Sequence, residues 1–85
     1  MIIIMRVDKF LKVSRLIKRR TVANDACSAG RVTVNDKIVK PGAEVAIGDI
    51  LSFGYGDKKI TIRILNLKEH VLKDDANGLY EVVES

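Results

Sequence analysis

Eight of the chain's fifteen lysines and arginines fall between residues 6 and 31: Arg6, Lys9, Lys12, Arg15, Lys18, Arg19, Arg20 and Arg31. Only Asp8 and Asp25 oppose them there, so this stretch carries a net charge of +6. The remaining residues hold seven cations against nine anions, and the whole chain comes to +4. Charge gathered in this way makes a directional field. A polyphosphate is its natural target, because each neutralised phosphate releases condensed counterions and that entropy drives binding whatever the base sequence. Arginine adds a planar fork that grips a phosphate through two N–H groups and stacks on exposed bases. The chemistry on offer is polyanion binding, and it points to a nucleic acid.

Catalysis has little to work with. His70 is the single histidine, with no Cys, His or paired carboxylate at ligand spacing, so neither a zinc site nor general-base work is expected. Gly54-Tyr55-Gly56 has half of a phosphate-loop pattern but lies between strands with no helix after it, which disqualifies it as a nucleotide cradle. Cys27 sits among alanines and reads as a small buried hydrophobe, not a reactive thiol. We expect no enzyme, no cofactor and no metal.

The elements that must position these cations start with a helix. Val7, Phe10, Leu11, the small Ser14 and Ile17 recur at three and four residues, with Val13 and Leu16 widening the face. This spacing predicts a helix over 8–16, with Asp8 suited to its positive end. Lys12, Arg15 and Arg19 then fall on the opposite side as one cationic stripe. Thr21 is the expected N-cap of a second helix over 21–29, and Gly30 is suited to the left-handed residue that ends it. Beyond Gly30 the period becomes two, predicting strands near 31–34, 37–39, 50–53, 59–65 and 79–83. Asn35-Asp36 is a turn pair, Lys40-Pro41-Gly42 breaks the chain, and His70 to Gly78 reads as polar loop. Ile2–Ile4 either extend a strand or form an extension upstream of Met5.

The fold class is α+β: a helical hairpin packed on a small antiparallel, barrel-like sheet, as one domain over residues 1–85. Phe10, Leu11, Val32, Val34, Ile62 and Ile64 are the expected core. A lone cysteine excludes an internal disulfide and fits a reducing cytoplasm. No apolar stretch approaches the roughly 20 residues of a membrane span, so no membrane partner is expected.

Each candidate has a plainer alternative. A basic stripe is often only a solvated helix face, but no Glu or Asp at four-residue spacing neutralises Arg15 or Arg19. Asn35 is a turn residue first and an RNA contact second; Lys40 is a loop residue first and a phosphate contact second. Arg15, Arg19 and Arg20 stand at the centre of the candidate face, with Arg20 placed to reach past the hairpin.

The segment from Met5 to Thr21, with Arg6-Val7-Asp8-Lys9-Phe10-Leu11 opening it and Ser14-Arg15 further along, is followed by Gly30-Arg31-Val32-Thr33-Val34-Asn35. Together they resemble the alpha-L RNA-binding motif of the S-four domain family, with residues 6–35 as the motif core and 1–4 as a possible extension. The resemblance implies the fold described above, with RNA held by the helical hairpin and the adjoining turn through Arg6, Lys9, Lys12, Arg15, Lys18, Arg19, Arg20, Arg31, Asn35 and Lys40. Many family members are appended to enzymes, whereas this chain has the domain and almost nothing else. It looks closest to free-standing members that act in ribosome quality control. That resemblance implies binding to ribosomal RNA of the large subunit and to peptidyl-tRNA after a stalled ribosome splits. The factor would hold the tRNA while an RqcH-type quality-control protein directs alanine addition, and it would be a cytoplasmic monomer. The alternatives are a heat-shock-type ribosome-recycling RNA binder and a basic protein-interaction adaptor.

Overall fold

A computed structural model describes residues 4–55, 57–68 and 78–84. Strand β1 (Ile4–Arg6) runs straight into helix α1 (Val7–Val13), which packs against α2 (Arg20–Ser28). Six further strands follow: β2 (Val32–Val34), β3 (Lys37–Ile38), β4 (Glu44–Ala46), β5 (Ile50–Tyr55), β6 (Lys58–Ile64) and β7 (Tyr80–Glu84). The expected antiparallel sheet is a five-stranded ladder in the order β3-β2-β5-β6-β7, and β1 pairs with β4 in a separate two-stranded ribbon.

Helix α1 starts without a side-chain cap. Its first amides go instead to the 41–43 segment: Val7 N–H donates to the Ala43 carbonyl at 2.7 Å and Asp8 N–H to that of Pro41 at 3.4 Å. These are donors a helix start cannot satisfy internally. Val7, Asp8, Phe10 and Leu11 are its buried residues.

The helix is shorter than the apolar spacing predicts. It stops at Val13, Ser14 caps it, and Arg15 takes a left-handed φ of 63° that reverses the chain. The amide of Ile17 then returns to the Leu11 carbonyl at 3.0 Å. Leu16 and Ile17 therefore pack on the core from a turn, although their spacing imitates a further helical turn. The stripe of Lys12, Arg15 and Arg19 is consequently not a helix face, because two of its members lie beyond the helix.

The second helix begins one residue early. Arg19 occupies the N-cap position and Thr21 lies inside the helix, so the expected threonine cap is not made. Its end is as expected: Gly30 has a φ of 74°, and the amides of Gly30 and Arg31 return to the carbonyls of Cys27 and Ala26. This closure satisfies two carbonyls that the last turn would leave open.

Asn35 and Asp36, at φ 52° and 68°, form the tight turn between β2 and β3. Strand register then builds the core. Val32 faces Phe53, Val34 faces Leu51, and Leu51 in turn faces Ile62. All six expected core residues are buried, joined by Met5 and Val45 from the ribbon and by Leu51, Phe53, Leu67 and Leu79. Ribbon strand β4 is an addition to the expected strands, and β5 runs on to Tyr55 beyond the expected 50–53. Gly78 and Leu79 form a short helical turn. Residues 69–77, most of the expected polar loop, lie outside the described residues, as do 1–3 of the possible extension.

Candidate nucleic-acid interface

At the point where the two helices begin, one carboxylate collects two arginines. Asp8, only 2% exposed, accepts hydrogen bonds from Arg6 Nε at Oδ1 and from Arg6 Nη2 at Oδ2, both at 3.2 Å. Arg20 Nε lies 3.5 Å from the same Oδ2. The Lys9 amide also donates to Asp8 Oδ1, at 2.8 Å. Arg6 and Arg20 remain 51% and 48% exposed, so each guanidinium has one side on the carboxylate and another in solvent. Arg20 does not reach past the hairpin as its sequence position suggests; it is an ion-pair partner that ties the first residue of α2 to the first turn of α1. For that pairing to form, the connector must return along α1, which spans only about 10 Å at 1.5 Å per residue.

A shallow cleft of about 390 Å³ opens beside this cluster, lined by Arg6, Asp8, Arg20, Thr21, Asn24 and Asp25. Nothing in the sequence singles out Thr21, Asn24 and Asp25 as site residues. Their shared spacing on the first turns of α2 becomes a site only because α2 starts beside Asp8.

The other cations divide into two groups. Lys12 lies in the last turn of α1, and Arg15, Lys18 and Arg19 follow in the connector; all four are exposed, as is Arg31 just past α2. None of these five makes an ion pair among the described residues. Asp8 stands four residues before Lys12, yet its oxygens are taken by Arg6, Arg20 and an amide. Lys9 is half-buried on α1. Lys40 is exposed in the loop whose Pro41 and Gly42 approach the helix start: a Cβ on Gly42 would lie 3.9 Å from Arg6 Nη2.

Asn35 has a task within the fold. Its Nδ2 donates to Asp49 Oδ1 at 3.3 Å, and its Oδ1 accepts the Ile50 amide at 3.0 Å. These bonds pin the β2–β3 turn to the start of β5. Cys27 is buried as expected, and its thiol is pushed up to about 11 by burial, reinforced by the negative charge of Asp8. Among the described residues no group of three or more His, Cys, Asp or Glu is placed to hold a metal ion. No described helix is long and apolar enough to cross a membrane.

Comparisons with known proteins agree with this geometry. Residues 5–51 match the model of the S4 domain. The chain is 55% identical over 78 residues to the RQC P-site tRNA stabilizing factor of Halalkalibacterium halodurans, covering 92% of this chain and 89% of that protein. It is 41% identical over 80 residues to the Bacillus subtilis protein of the same name, covering 94% and 93% of the two chains. The trimeric structure of Vibrio cholerae Heat Shock Protein 15 superimposes with a TM-score of 0.88 at 28% identity, covering 95% of this chain and 83% of that one. A fold set by two helices on a small antiparallel sheet, a cation-rich helical pair and relatives matched along nearly their full length lead to one assignment: the chain belongs to the S4 domain family.

Proposed function

We propose that this chain is a non-enzymatic RNA-binding factor of ribosome quality control, and that its α1–α2 unit is the surface that meets RNA. The observation that carries this reading is the set of five cations open to solvent, Lys12, Arg15, Lys18, Arg19 and Arg31, without a carboxylate partner among the described residues. Cations that no internal anion neutralises keep their full attraction for phosphate. Relatives named for stabilising P-site tRNA make tRNA the leading partner. In finer detail, the factor binds ribosomal RNA of the large subunit and peptidyl-tRNA after a stalled ribosome splits. It then keeps the tRNA in place, as a cytoplasmic monomer, while an RqcH-type protein directs alanine tailing. Arg6, Lys9, Arg20, Asn35 and Lys40 complete the proposed contact set.

The test is sedimentation of the tagged chain with separated ribosomal subunits, followed by a reconstituted tailing reaction. Cofractionation with large subunits carrying peptidyl-tRNA, and loss of tailing when the chain is withheld, are the expected results. The likeness to Heat Shock Protein 15 favours a second reading, ribosome recycling without tailing. That reading predicts large-subunit binding with tailing unaffected. Retention of a protein partner after complete nuclease digestion, with no subunit association, would instead identify an adaptor.

A further inference from the structure

We propose that the buried Asp8 carboxylate is a positioning residue, which holds Arg6 and Arg20 as an oriented pair so that their outward N–H groups meet RNA phosphates already ordered. The inference rests on the RNA-binding reading above and adds a residue of the opposite charge to it.

Three observations lead there. Asp8 is almost wholly removed from water while both partners stay about half exposed, so its carboxylate is not available to RNA but its partners are. A guanidinium has five N–H donors, and Arg6 commits Nε and one Nη2 donor to Asp8, which leaves further donors toward solvent. The two arginines come from different elements, β1 and the start of α2, and Asp8 is the group they share.

On charge alone the arrangement is counterproductive. Asp8 and Asp25 together cancel Arg6 and Arg20 around the cleft, so its local charge sums to zero. A carboxylate placed here weakens long-range attraction for a phosphate. It favours RNA only if fixing the two forks outweighs the forfeited charge, because a long side chain ordered beforehand gives up less freedom on binding. Geometry and charge therefore make opposite predictions for the same substitution.

The parent protein, Asp8→Asn and Arg20→Lys are titrated against purified large ribosomal subunits and against poly-uridylate over a range of salt. Asp8→Asn is more positive by one unit, yet it is expected to bind large subunits about tenfold more weakly, as two side chains must now be ordered on binding. Its affinity for poly-uridylate is expected to hold or rise. Arg20→Lys keeps the charge but not the fork, and should show the same selective loss. Large-subunit binding by Asp8→Asn equal to or tighter than the parent's overturns the proposal. Should Asp8→Asn not fold, side-chain NMR of the parent decides: the Nε–H order parameters of Arg6 and Arg20 should lie well above that of Arg19. Arg6 and Arg20 as mobile as Arg19 would overturn it equally. A parent that binds neither probe sinks the RNA-binding reading itself, and this inference with it.

Discussion

Single side chains in this protein separate into those that fold it and those that remain available for a partner. Phe10 is fully enclosed, so Phe10→Ala should cost about 3–5 kcal/mol, and thermal denaturation should show a domain this small largely unfolded. Arg20 and Arg19 are sequence neighbours with different duties. Arg20→Ala removes one of the two arginines on a buried carboxylate and should lower stability by about 1 kcal/mol, since the pair is half exposed and Arg6 remains. For a domain of this size that is a fall in Tm of roughly 4–8 °C by calorimetry. Arg19→Ala, with no ion pair to lose among the described residues, should leave Tm unchanged. Cys27 yields a pH prediction. Its folded value of about 11 lies above the ordinary 9.0, so the folded state holds its proton more tightly than the unfolded state. That contribution is complete below pH 9 and declines as pH rises toward 11, by up to about 2–3 kcal/mol. Cys27→Ala should remove this part of the alkaline fall in stability, read as the difference between the two urea-unfolding series.

At the scale of elements, the end of α1 is where local preference and the final structure disagree. Arg15 holds a left-handed φ of 63°, which costs an ordinary residue roughly 1–2 kcal/mol and glycine little. Arg15→Gly should therefore stabilise the domain by about 1 kcal/mol in urea unfolding while weakening RNA binding, the expected trade where a charge is kept at a strained turn. The same residue explains why the helix boundary was not legible: no Gly or Pro marks the stop, and Leu16 and Ile17 continue the helical spacing. Where a turn residue did stand at the break, at Gly30 and at Asn35-Asp36, the sequence showed both the position and the conformation. Alternation likewise exposed β2 and β6, whose inward residues are buried. The β1–β4 ribbon was not legible, because its two short strands lie some forty residues apart and no turn joins them, so their pairing is settled by distant partners such as Met5 and Val45. At the site, which residues are cationic could be read directly. That Arg20 is tied to Asp8 could not, since it depends on a connector whose path only the tertiary structure defines.

The molecule as a whole carries its positive excess on the two helices, their connector and the flanking Arg6 and Arg31, and its acidic excess elsewhere: +6 over residues 6–31 against −2 over the rest. Such asymmetry orients the protein before it meets its partner and makes affinity depend on salt. It also sets the scale of what one substitution can do. Every phosphate interaction that a substitution removes should lower the slope of log affinity against log salt by roughly 0.7–0.9, whatever the local geometry. Arg19→Ala should show that reduction together with weaker large-subunit binding. Lys59→Ala removes the same formal charge from an exposed position on β6, opposite Gly54 and outside the helical pair. A response confined to the helical pair would leave the Lys59→Ala slope at the parent value. If net charge alone drove binding, both variants would shift equally, because both fall from +4 to +3. Equal slopes and equal affinities for Arg19→Ala and Lys59→Ala would thus remove α1–α2 as the RNA-binding surface, and a preference of about tenfold between them, roughly 1.4 kcal/mol, would locate it there.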